Sequence, residues 1–144
     1  MNQEFFSCLQ KQREMKEWLL KSQSPQESYQ KIIALGQELP PIAPEYKCEE
    51  NIVRGCQSIV YLHSELHEKH LKFTAYSEAL ISRGLAALLI SLYDNEPPEA
   101  LLKCKPDFLE EVGIYASLSP GRSNGLASMY LRMQKDALNF LVAL

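Results

Sequence analysis

The chain has no Cys-x-x-Cys pair. Its four cysteines, Cys8, Cys48, Cys56 and Cys104, lie 40, 8 and 48 positions apart. That spacing argues against a zinc knuckle or a thioredoxin-type motif. Basic excess is also missing: 15 Lys and Arg stand against 18 Asp and Glu, a formal net charge of −3. Such a balance argues against an electrostatic footprint for nucleic acid. No long apolar run occurs. The longest, Leu85 to Leu92, is broken by Ser91 and falls far short of the ~20 residues that cross a bilayer. The N-terminus lacks a basic region, an apolar core and a small-residue cleavage site. Its early acids, Glu14 and Glu17, also disfavour an organellar transit peptide, so a cytoplasmic chain with reduced thiols is expected.

What is present is ordinary globular composition, 46% apolar and 23% charged over 144 residues. One domain spanning 1–144 is expected, large enough to need no disulfide or metal staple. Phe5, Cys8, Leu9, Met15, Trp18 and Leu19 fall mostly on one face of a helix over 4–21. Ser24-Pro25-Gln26-Glu27 combines an N-cap serine, a proline at the first helical position and a capping-box glutamate. The helix it opens, through Tyr29, Ile32, Ile33 and Leu35, must end by Leu39 because Pro40-Pro41 follows. Residues 40–51 read as a loop. From Ser58 to Leu66 apolar Val60, Leu62 and Leu66 oppose Ile59, Tyr61, His63 and Glu65. Leu71, Phe73 and Ala75 alternate in the same way with His70, Lys72, Thr74 and Tyr76. These predict two antiparallel strands joined near His67–Lys69, with Ile52-Val53-Arg54 as a third. Ser77 or Glu78 should open a largely apolar core helix over 79–93. Short helices are expected at 98–103 and 106–112, and Ser119-Pro120 opens a long final helix. The class is α+β: N-terminal helices, a small three-stranded antiparallel sheet, and C-terminal helices packed on one face.

Among the thiols, Cys56 has the most telling position. It follows Gly55, which suits a tight turn, and sits at a loop-to-strand junction. Cys8 and Cys104 read as packing. Cys48 lies in a polar loop beside Lys47, Glu49 and Glu50 and reads as exposed, with no disulfide to Cys56 favoured in a reducing compartment. His63, His67 and His70 read as a solvated hairpin surface rather than a metal site. His63 lies about 20 Å along an extended strand from Cys56, too far to serve it as a base. The adjacent acids Glu49 and Glu50 read as solvated. Arg122, in a first helical turn where acids are favoured, suggests a contact with an acidic group or an anion.

Gly55-Cys56-Gln57-Ser58-Ile59-Val60, preceded by Asn51 and Val53, resembles the signature of the SufE-like sulfur-acceptor family of iron–sulfur cluster assembly. Leu35-Gly36-Gln37-Glu38-Leu39-Pro40 resembles the family's second-helix ending. Ser77 with Arg83-Gly84-Leu85 resembles the opening of its core helix. Leu118-Ser119-Pro120 with Arg122-Ser123-Asn124-Gly125-Leu126 resembles its C-terminal motif. The ordered match covers about 25–140. Three positions depart from the family pattern: Tyr61 for a usual Trp, Tyr76 for a common acid, and Gly121 for a usual Ser.

The resemblance implies the family fold, with Cys56 as the sulfur acceptor that becomes a persulfide, supported by Gly55, Gln57, Ser58 and Arg122. It implies an accessory sulfur-transfer protein rather than a stand-alone enzyme, a monomer or homodimer. Its partners would be a SufS- or CsdA-type cysteine desulfurase, which it stimulates, and a downstream iron–sulfur assembly scaffold. No cofactor is implied on this chain, since pyridoxal phosphate belongs to the desulfurase. The Cys56 sulfur is expected to tuck toward apolar neighbours and swing out on docking, with Gly55 as hinge. An iron–sulfur cluster scaffold or a purely regulatory desulfurase-binding module are the alternatives.

Overall fold

The computed structural model describes residues 5–143, the side chains of 115 and 116 excepted. The first helix, α1, runs Phe6–Leu20; the predicted start at residue 4 lies outside the described residues. Its buried face includes Gln12 where Leu9 was expected. Leu9 is exposed, and Gln12 turns inward because its amide donates to the Cys104 carbonyl at 2.9 Å. Helix α2, Pro25–Gln37, begins at the predicted cap: Ser24 Oγ accepts from the Glu27 N–H at 3.1 Å. The Glu27 carboxylate reaches back to the Gln23 N–H at 2.8 Å, one residue before the usual capping-box target.

The loop that follows contains two single-turn 3-10 segments, Pro44–Tyr46 and Glu49–Asn51. Strands β1 (Tyr61–His67) and β2 (His70–Tyr76) pair antiparallel with Tyr61 opposite Tyr76 and His67 opposite His70. The turn between them is Glu68-Lys69, both at positive φ, as a twist-matched two-residue hairpin turn requires. Val60, Leu62, Leu71, Phe73 and Ala75 are buried, which is the alternation expected.

The sheet has two strands where three were expected. Ile52 makes a single bridge to Tyr61, and the Val53 N–H bonds to Val60 O at 2.9 Å. Pairing stops there because Gly55, at φ +95°, turns the chain away. Residues 55–59 are likewise spent on that loop, so β1 starts at Tyr61 rather than Ser58.

Helix α3, Leu80–Tyr93, is the centre of the molecule, with Leu85, Leu88, Leu89, Leu92 and Tyr93 almost wholly buried. Its N-cap is Ala79, which provides no side-chain cap. Ser77 instead accepts from the Ala79 N–H and donates to Ile59 O at 2.8 Å, fastening the end of β2 to the Cys56 loop. Helix α2 packs closely on α3: a Cβ on Gly36 would lie 2.7 Å from the Gly84 nitrogen, and one on Gly84 would overlap the Ile32 carbonyl. Short helices α4 (Glu99–Lys103) and α5 (Phe108–Glu111) lie within the predicted spans. A third, α6 (Ile114–Ser117), follows left-handed Gly113 and was not foreseen. Helix α7, Pro120–Ala143, buries Leu126, Met129, Met133 and Ala137. Ser119 Oγ accepts from the Arg122 N–H at 3.4 Å, so the Ser-Pro start signal is read as predicted.

Candidate functional site around Cys56

Three residues of the Cys56 loop lie along α7 in reverse order. Gly55 sits against Ser128, Cys56 against Gly125, and Gln57 against Gly121. Small residues one helical turn apart on α7 make this approach feasible. A Cβ on Gly121 would meet the flexible end of the Gln57 side chain, which can move aside. A Cβ on Gly125 would stand 3.6 Å from Cys56 Sγ. The loop is thus held between α7 and the first turn of α3.

Cys56 is half-buried, and its thiol donates to the Gly125 carbonyl at 3.7 Å. Burial pushes the thiol up from an ordinary 9.0 to about 11, because a low-dielectric site penalises the thiolate. Beside it lies a cavity of about 100 Å³ walled by Ile81, Leu85 and Met129. Gln57, Ser58 and Arg122, three of the four residues expected to support Cys56, border the same cavity. The fourth, Gly55, adjoins it at positive φ. The lining residues Ile81 and Ser82 had no prior signal, and Met129 was marked only as an apolar position of the final helix. Leu85 and Gly125 stood inside motifs without an assigned role.

Arg122 makes no ion pair among the described residues. Its guanidinium lies 5.7 Å from the centroid of the Tyr29 ring on α2, a cation–π contact in place of the expected acid or anion. Tyr76 has a comparable role. Lys47 Nζ stands 3.9 Å from its centroid and Arg83 5.3 Å from it, so the ring attracts cations at a position where an acid is common in the resembled family.

The other candidates disperse. Cys8 and Cys104 are buried in the core, and Cys8 is pushed up to about 12, first by burial and then by its Cys104 neighbour. Cys48 is half-buried rather than exposed, and all four cysteines are free thiols. His63 stacks on Tyr46 at 3.6 Å and meets Glu65 at 3.0 Å. Tyr46 OH donates to the same carboxylate at 2.8 Å. This cluster clasps the 3-10 loop to β1 and stands apart from Cys56.

A half-buried thiol on a glycine turn, tucked between two helix starts in an α+β frame, defines the class of protein. The chain belongs to the SufE family, the Fe-S metabolism associated domain, whose model matches residues 13–137. It is 36% identical to SufE-like protein 1, chloroplastic/mitochondrial, of Arabidopsis thaliana over 83% of this chain and 33% of that protein. It is 34% identical to an uncharacterized SufE-like protein of Synechocystis, covering 81% of this chain and 73% of that one. The cysteine desulfuration protein SufE of Plasmodium falciparum is 28% identical over 82% of this chain and 49% of its own length. This chain therefore spans about a third of the Arabidopsis relative and about half of the Plasmodium one. Among solved structures, a hypothetical protein from Thermus thermophilus superposes with a TM-score of 0.77 at 25% identity, over 92% of this chain and 96% of that one. No helix among the described residues is long and apolar enough to cross a membrane.

Proposed function

We propose that this chain is a cytoplasmic sulfur carrier. It accepts persulfide sulfur from a cysteine desulfurase of the SufS or CsdA type onto Cys56, stimulates that enzyme, and passes the sulfur to an iron–sulfur assembly scaffold. The observation that carries this reading is the placement of Cys56. It lies on a turn at a surface loop, yet its sulfur faces a small recess walled by Ile81, Leu85 and Met129 and edged by Gln57, Ser58, Ser82 and Arg122, whereas Cys8 and Cys104 are core residues.

The chemistry is thiol exchange. The Cys56 thiolate attacks the outer sulfur of the desulfurase persulfide. A new S–S bond forms on Cys56, the donor S–S bond breaks, and the electron pair leaves with the donor cysteine as thiolate. The proton lost by Cys56 balances the one the donor thiolate can take up, and no external oxidant is consumed. With the thiol raised to about 11, only about one molecule in 10⁴ carries a thiolate at pH 7 in the retracted state. The resting protein is thereby protected from stray electrophiles. Docking must lift the loop, with Gly55 as hinge, into surroundings that favour the anion.

Intact-mass measurement after incubation with a desulfurase and L-cysteine tests the reading. Wild type should gain one sulfur, removable by reductant, and Cys56→Ser should gain none. Sulfur retained by Cys56→Ser would overturn the assignment to Cys56.

A further inference from the structure

Of the polar side chains that line the recess, Gln57, Ser58, Ser82 and Arg122, Ser82 is the buried one. Ser82, in the first turn of α3, is 8% exposed and lines the cavity with Cys56. Among the described residues its hydroxyl has no hydrogen-bond partner, whereas Ser91 and Ser117 each bond a carbonyl of their own helix. The enclosed unpaired polar atoms among the described residues are Ser22 Oγ, Thr74 Oγ1 and Arg83 Nε; the Ser82 hydroxyl instead stands open to the recess, free to donate to whatever occupies it. The surroundings indicate the kind of ligand. Helix α3 has 14 residues and no acid in its first turn, with Glu78 just before its N-cap and Ser77 Oγ accepting from the Ala79 N–H. Its first turn lines the recess through Ile81 and Ser82, so the positive end of the helix lies at the recess wall. Arg122 borders the cavity from the opposite helix. Among the described residues Cys56 and Arg122 are the titratable or charged side chains that line it. The cavity, about 100 Å³, exceeds the roughly 10–15 Å³ that admits a water-sized group. One added sulfur atom therefore fits.

We propose that Ser82 is the hydrogen-bond donor that holds the terminal sulfur of the Cys56 persulfide when the loaded loop retracts. The resting thiol and the loaded persulfide differ in charge. The thiol is neutral and donates to the Gly125 carbonyl. A hydropersulfide is a stronger acid than its parent thiol, so its outer sulfur is anionic and needs a donor. Ser82 and the start of α3 supply one that the thiol does not use. The recess thus accommodates the loaded form as well as the empty one. This inference rests on the sulfur-carrier reading of Cys56, and it adds a residue that neither the sequence motifs nor the family resemblance marks.

The test uses the full chain loaded by a desulfurase and L-cysteine, then separated from the enzyme. Persulfide on Cys56 is followed by intact mass during exposure to dithiothreitol and to a neutral alkylating reagent across pH. Ser82→Ala removes the hydroxyl and favours the helix, and Ser82→Thr restores it. Expected is normal loading of Ser82→Ala, a persulfide lost about tenfold faster, as for a hydrogen bond to a charged acceptor, and a less acidic persulfide. Ser82→Thr should recover most of both effects. Equal lifetimes and equal acidity in wild type and Ser82→Ala would overturn the proposal. So would a Ser82→Ala defect confined to loading, or a defect that Ser82→Thr does not repair. Failure of wild type to take up sulfur at all would instead overturn the carrier reading itself.

Discussion

In the free protein Cys56 should titrate as a buried thiol, and pH is the perturbation that reveals it. The retracted loop raises the thiol from 9.0 to about 11, with burial as the cause. An acid group raised in this way keeps its proton in the retracted state while an unfolded or swung-out loop loses it. Below pH ~9 both states are protonated and pH has no leverage. Between ~9 and ~11 each unit favours the open loop by about 1.4 kcal/mol, roughly tenfold, so retraction is lost as pH rises through that window. The same two units make the thiolate about a hundredfold rarer at pH 8 than in a denatured chain. The assay is the rate of modification by iodoacetamide in a Cys48→Ser background, read by intact mass. Cys8 and Cys104, 0% and 5% exposed, should remain unmodified while the fold persists. A rate at pH 8 about a hundredfold below that of the denatured chain, with a midpoint near 11, is expected. A midpoint near 9 with a rate like that of the denatured chain would refute the argument that the recess governs this thiol.

Two further outcomes follow from backbone geometry. Gly55→Ala places a side chain at φ +95° and into the Ser128 hydroxyl. This should cost the retracted loop about 1–2 kcal/mol and raise Cys56 alkylation roughly tenfold, with little change in thermal stability. Gly84→Ala puts a Cβ into the Ile32 carbonyl at the α2–α3 crossing. It should destabilise the whole fold by about 2–3 kcal/mol, seen as a lower urea midpoint at unchanged slope.

Much of the frame was legible because it depends on local chemistry. Ser24-Pro25 and Ser119-Pro120 start helices through caps that their own next residues complete. Alternation over residues 60–75 placed the hairpin and its buried face. The errors share a different origin. Leu9 and Gln12 exchanged places because a carbonyl distant in sequence, that of Cys104, offered Gln12 a partner. The third strand shrank to one bridge because the turn at Gly55 won over the pairing tendency of Ile52-Val53. Arg122 found the Tyr29 ring, supplied by a helix some ninety residues earlier in the chain, where a first-turn argument predicts an anion.

By itself the sequence was enough to set Cys56 apart from the other three thiols by its place on a glycine turn ahead of a strand, since that turn and the ordered motifs around it are local information. It also established the helix starts, the hairpin and the family resemblance. Only the tertiary structure decided what surrounds that thiol. The reverse alignment of Gly55, Cys56 and Gln57 on Ser128, Gly125 and Gly121, and the apolar walls of Ile81, Leu85 and Met129, join elements separated by tens of residues. Burial sets the acidity of a thiol, and burial is a property of what packs around a residue rather than of its neighbours in the chain. For the same reason Ser82 was invisible beforehand: a serine in an apolar helix becomes informative once the fold places it on the wall of the recess beside Cys56.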